Sequence, residues 1–174
     1  MVKVKEIMRR AVYTVDGSVS MNDVAKIMTE NRIGSVVVMK DNAPVGIVTD
    51  SDVVSLVARG RDPKKTRVKD LKRGKFITAG PEEDMFKVVR KMVKNGVKRI
   101  PIIKDGNLVG IVSDKEVMIT APEMVEVLSE KIKSRMELVS PPGKIISGLC
   151  ENCEGYSDRL KSIGERWLCE DCRE

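Results

Sequence analysis

At 174 residues, with 33% charged residues, 3% aromatics and neither His nor Gln, the chain has the length for one medium domain and a small appendage. The missing histidine removes the commonest general base, and no pair of carboxylates with a substrate cleft and no activated nucleophile replaces it, so an enzyme is the least favoured class. The formal charge of +6 is uneven: residues 150–174 carry four basic and seven acidic side chains, a net of −3, which leaves +9 on residues 1–149 and points that part toward anionic partners.

In chain order, a short leading segment (4–8) precedes a brief strand at Val12, Tyr13, Thr14 and Val15, which Asp16, Gly17 and Ser18 end. Met21, Val24, Ala25 and Met28 then fall at i, i+3, i+4 and i+7, the apolar stripe of an amphipathic helix with its methionines in the core. Two strands follow, 35–39 and 45–48, with Asp41-Asn42 between them, and a helix starts at Asp50. A basic, breaker-rich linker runs over 59–67. Met85, Val88, Val89 and Met92 repeat the first stripe. Asp105-Gly106 joins strands 100–103 and 108–112 as a strong hairpin signal, and a second helix starts at Asp114. Pro101 inside 100–103 lacks an N–H, which a strand tolerates only at an edge or a start. Beyond Pro122 a helix is expected over 123–138, ended by Ser140-Pro141-Pro142-Gly143.

Residues 4–53 slide onto 68–117 without a gap, with 16 identities in 50 pairs, so the first three quarters of the chain is two versions of one unit. Each is strand, helix, hairpin, helix, too small to be stable without the other. Gly46-Ile47-Val48-Thr49-Asp50-Ser51-Asp52 returns 64 residues later as Gly110-Ile111-Val112-Ser113-Asp114-Lys115-Glu116. A strand ending in a hydroxyl residue, with a carboxylate three positions on, forms a capping box. The same geometry offers helix-start N–H groups to a phosphate and a carboxylate to both hydroxyls of a ribose. Spacing alone favours the cap.

The duplicated signature resembles a tandem pair of CBS domains, a Bateman module. The resemblance implies an α+β fold of two pseudo-twofold-related units (strand-helix-strand-strand-helix), spanning 1–66 and 67–122. It also implies an adenosine ligand, AMP, ADP, ATP or an S-adenosyl compound, whose ribose is held by the Gly-apolar-x-Thr/Ser-x-x-Asp/Asn motif. Gly46, Thr49 and Asp52 match that motif, whereas Glu116 departs from it, so one competent site is expected. By the same resemblance the Asp52 cleft draws on Thr78, Val97, Lys98 and Arg99, the last two as cations near the phosphates. The mirror cleft would set Ile33, Gly34 and Ser35 before Glu116. A homodimer and a regulatory role are implied in the same way.

All four cysteines lie near the end as Cys150-x-x-Cys153 and Cys169-x-x-Cys172, with 15 residues between the pairs. Two such turns close a tetrahedral S4 shell, the usual arrangement of structural zinc. Residues 144–174, after a connection over 123–143, resemble a zinc ribbon. Iron is the alternative metal, and a rubredoxin-like electron carrier the alternative function, although Glu154 and the Glu170-Asp171 pair depart from rubredoxin knuckles. Four thiolates around a divalent cation add about −2 to the segment's charge. That opposes nucleic-acid binding by the ribbon and favours docking on a basic protein surface. A nucleic-acid-binding regulator acting through the basic repeats is the other alternative. No apolar run approaches the ~20 residues that span a bilayer, and the charged start is no signal peptide, so the protein reads as cytosolic. Abundant Lys, Arg and Glu without Gln suggest a heat-loving source.

Overall fold

The computed structural model describes residues 2–71, 74–120, 146–164 and 166–173. The helix expected over 123–138 and the boundary at 140–143 lie outside the described residues. Two compact units, Met1–Val125 and Glu126–Glu174, are each described by themselves.

In the first unit, α1 (Val4–Ile7), β1 (Thr14–Asp16), α2 (Met21–Glu30), β2 (Ser35–Lys40), β3 (Ala43–Thr49) and α3 (Asp50–Ala58) make one half. A 3-10 turn at Val68–Asp70, α4 (Met85–Asn95), β4 (Arg99–Lys104), β5 (Asn107–Ser113) and α5 (Asp114–Thr120) make the other. The methionine stripes are core: Met21, Val24, Met28, Met85, Val88, Val89 and Met92 are all buried. Both hairpins turn on two consecutive left-handed residues, Asp41 (φ 49°) with Asn42 (φ 62°), and Asp105 (φ 50°) with Gly106 (φ 79°). That is what a two-residue loop between right-twisted strands requires.

The ends of α2 and α4 show the duplication at atomic detail. Ile33 N–H donates to Met28 C=O at 2.9 Å, and Val97 N–H to Met92 C=O at 3.1 Å, each closing its helix through a left-handed residue. In the second half that residue is Gly96 (φ 65°); in the first it is Arg32 (φ 51°). An L side chain in this region costs about 1–2 kcal/mol, partly offset by the entropy a glycine loses. Arg32→Gly is therefore expected to stabilise the unit by about 0.5–1 kcal/mol in urea unfolding.

The expected leading strand of the second half is a correction. β1 pairs in parallel with β2 (Thr14 with Val37 through Asp16 with Met39), next to the antiparallel β3. The counterpart is a single bridge, Ala79 with Ile102, beside the two-stranded sheet β4-β5. In the first half Val37 N–H donates to Tyr13 C=O at 2.9 Å. The residue 64 positions later is Pro101, which has no N–H to give to Ile77, so the ladder stops.

Each half receives the leading segment of the other. Val4 N–H donates to Glu83 C=O (3.0 Å), Lys5 N–H to Pro81 C=O (3.0 Å) and Met85 N–H to Val2 C=O (2.9 Å). Val68 to Val19 (3.0 Å), Lys69 to Gly17 (2.9 Å) and Met21 to Thr66 (2.9 Å) repeat the pattern. Val4 and Val68 are wholly buried, and Val68 joins the core around Val24, Val36 and Val48. Burial of such side chains is worth roughly 1.5–3 kcal/mol each, which welds the halves together.

The second unit contains β6 (Ile146–Leu149), β7 (Tyr156–Ile163) and β8 (Arg166–Leu168), antiparallel in that order. Its buried core is Cys150, Leu160, Leu168 and Cys169, with Trp167 and Cys172 packed against it.

Candidate functional site

Strand β3 carries Gly46, buried and paired with Val38, to Thr49, where the chain turns into α3. Thr49 N–H and Thr49 Oγ1–H both donate to Asp52 Oδ2, at 2.7 and 2.8 Å. The capping interaction exists, and it uses one carboxylate oxygen; Asp52 is exposed and its Oδ1 has no partner among the described residues. In the other half Ser113 N–H donates to Glu116 Oε2 at 3.0 Å, joined by the Ser113 hydroxyl. Glu116 Oε1 faces Arg9 Nε at 3.9 Å, and only 16% of the Glu116 side chain is exposed. Glu116 thus lies mostly buried, within ion-pair range of a cation of this chain.

Arg9 reaches that position because residues 8–9 run along β5. Arg9 N–H and C=O exchange 2.9 Å bonds with Ile111, and a Cβ on Gly110 would stand 2.9 Å from Arg9 C=O. The second motif glycine is thus explained by the close approach of a neighbouring backbone.

Of the residues assigned to the Asp52 cleft, Arg99 crosses between the halves. Its Nη1 donates to Gly34 C=O at 2.8 Å, and the same carbonyl accepts Asp50 N–H at 3.2 Å at the start of α3. A Cβ on Gly34 would lie 3.0 Å from both Arg99 Cζ and Asp50 Oδ2. The guanidinium therefore rests beside the helix start that carries Asp52. Val97 is half-buried and Lys98 exposed; Thr78 is half-buried, with its carbonyl taken by Lys91. Neither Thr78 nor Lys98 hydrogen-bonds Thr49 or Asp52. Arg9 and Lys91 belong to no sequence motif; for Arg9 the sequence signal is its identity with Arg73 across the repeat.

In the second unit the four Sγ atoms of Cys150, Cys153, Cys169 and Cys172 lie within 4.8 Å of one another. Cys153 Sγ and Cys169 Sγ are 3.7 Å apart, close to the edge of about 3.8 Å that 2.3 Å metal–sulfur bonds give a tetrahedron. All four are free of disulfides. Cys169 N–H and Asn152 Nδ2 donate to Cys150 Sγ and Cys172 Sγ, both at 3.4 Å, and left-handed Glu154 (φ 57°) turns the first knuckle. The backbone N–H groups of Cys169 and Cys153 hold the Cys150 thiol down to about 6, while burial pushes Cys169 up. The donor set fits a thiophilic metal and can hold one.

The CBS-domain model matches residues 4–59 and 68–122. The chain belongs to the CBS-domain family. An uncharacterized protein of Methanocaldococcus jannaschii is 35% identical to this CBS-domain chain, covering 99% of it and 93% of its own length. Among solved structures, a CBS domain protein from Pyrobaculum aerophilum complexed with AMP has a TM-score of 0.65 at 20% identity, over 74% of this chain and 99% of its own. A CBS domain pair in complex with 5′-methylthioadenosine and S-adenosyl-L-methionine has a TM-score of 0.62 at 23% identity, over 75% and 98%. At these identities the likeness is one of fold. Among the described residues no helix is long and apolar enough to cross a membrane.

Proposed function

We propose that this CBS pair, with units over 1–66 and 67–122, is a regulatory sensor of an adenosine-containing small molecule. It has one competent cleft and is joined through 123–143 to a metal-binding ribbon over 144–174. The observation that carries the reading is the inequality of the two motif carboxylates. Asp52 is exposed and keeps one oxygen without a partner among the described residues, whereas Glu116 Oε2 accepts from Ser113 and Glu116 Oε1 lies 3.9 Å from Arg9 Nε. Gly46, Thr49 and Asp52 hold the ribose; Thr78 and Val97 line the base side; Arg99 and Lys98 supply positive charge for phosphate. Pairs of this fold complexed with AMP or S-adenosylmethionine support the ligand class. A ligand acts by binding two arrangements of the protein unequally, since equal affinity shifts nothing. The test is isothermal calorimetry of metal-loaded protein against AMP, ADP, ATP and S-adenosylmethionine. Saturable binding supports the sensor, and no heat with any of them removes it.

The ribbon holds zinc in preference to iron, as a structural ion in a protein of the cytoplasm, and its negative charge suits a basic protein partner. The CBS pair self-associates through α3 and α5, which expose Val54 (68%), Val57, Met118 and Ile119 (72%). The variant Val54→Asp with Ile119→Asp is expected to sediment as a monomer where the wild type sediments as a dimer; an unchanged dimer would rule out this face.

A further inference from the structure

Lys91, on α4, makes a three-way contact that the first half of the pair lacks. Its Nζ donates to Thr78 C=O at 3.0 Å and to Glu83 Oε2 at 3.0 Å, with Glu83 Oε1 at 3.4 Å. Glu83 Oε1 also accepts Gly80 N–H at 2.7 Å, so the group ties both flanks of the Ala79 bridge to α4. Against the upward push of burial, the Gly80 N–H and the Lys91 ammonium hold the Glu83 carboxyl below its ordinary range. Sixty-four residues earlier the corresponding positions are Ile27 and Val19, which can form no such group. That half does not need one, because Val37 N–H fixes the segment through Tyr13 C=O. Where Pro101 withholds the N–H, two bonds at Ala79 remain: its N–H to Pro101 C=O at 3.1 Å, and Ile103 N–H to its C=O at 2.9 Å.

We infer that Lys91 is a positioning residue for the ligand cleft: with Glu83 it replaces the ladder bond lost at Pro101 and holds Thr78 at the base side of the Asp52 site. The inference rests on the adenosine-ligand reading. Pre-ordering this edge removes an entropy cost from binding, so loosening it weakens affinity without removing any contact to ligand.

The test pairs calorimetry with amide exchange on full-length, metal-loaded protein. Lys91→Met keeps the aliphatic stem, and the double variant Lys91→Met/Pro101→Val returns an N–H opposite Ile77 C=O, as Val37 has opposite Tyr13. Lys91→Met is expected to raise Kd for the tightest-binding of AMP, ADP, ATP and S-adenosylmethionine about tenfold. It is also expected to speed exchange at Ala79 and Ile103, and the double variant to recover both. An unchanged Kd in Lys91→Met overturns the role. So does a Kd that rises with a falling Tm and is not recovered by Pro101→Val, since Lys91 then acts through overall stability. Wild-type protein that binds none of the four overturns the ligand reading and this role with it. That failure is distinguishable from failure of the clamp, because exchange at Ala79 and Ile103 needs no ligand.

Discussion

Chelating the metal from the protein is expected to unfold the three-stranded sheet β6-β7-β8 and leave the helical signal of the first unit intact. The buried core around these strands is Leu160, Leu168 and two cysteines, with Trp167 and Cys172 alongside, too little to hold three strands in place. Structural zinc supplies about 10–16 kcal/mol in comparable small domains, far more than such a core contributes. The described α-helices all lie in the first unit. The chain's one tryptophan, Trp167, packs against the cysteine cluster and reports the change directly. Its emission is expected to shift to the red on chelation, and Cys169→Ser, at a buried ligand position, to produce the same spectrum without chelator. Unchanged Trp167 emission after metal analysis confirms removal would mean that the cysteines are not structural ligands. A colourless protein with zinc near one equivalent separates the structural ion from an iron electron carrier.

Asp52→Ala is expected to weaken adenosine-ligand affinity by roughly 10–150-fold, the loss of a charge-assisted contact worth about 1.5–3 kcal/mol. It also removes the acceptor of Thr49 N–H, so stability is expected to fall by about 1 kcal/mol. Glu116→Ala is expected to lower stability similarly and leave affinity unchanged, because Glu116 already serves Ser113 and Arg9. The two readings of the motif part here. If Asp52→Ala costs stability alone, the carboxylate is a helix cap and nothing more.

The duplication made most of the first unit legible in the sequence, because a 64-residue offset carries every periodic signal twice. Stripes, hairpins and the helix starts at Asp50 and Asp114 lie where the pattern puts them. Symmetry misled at one strand. Thr78 matches Thr14, yet the bond that completes the first ladder comes from Val37, whose counterpart is Pro101, so one residue on a different strand decides whether the leading strand forms. The exchange of leading segments was invisible for a related reason: Val4 and Val68 are apolar wherever they pack, and periodicity within one repeat does not say which half receives them. At the candidate site, spacing gave Thr49 and Asp52 but could not say which oxygen each donor would occupy. Arg9 reaches Glu116 only because backbone pairing with Ile111 brings it there, a relation between residues about a hundred positions apart. The cysteine cluster was fully legible, since two Cys-x-x-Cys turns leave few ways to arrange four sulfurs.

The inequality of the two clefts is tested most directly by calorimetric stoichiometry of the tightest-binding adenosine ligand on wild-type, metal-loaded protein. One ligand per chain, abolished by Asp52→Ala and retained in Glu116→Ala, is the predicted result. Two ligands per chain, or one that survives Asp52→Ala, would contradict it.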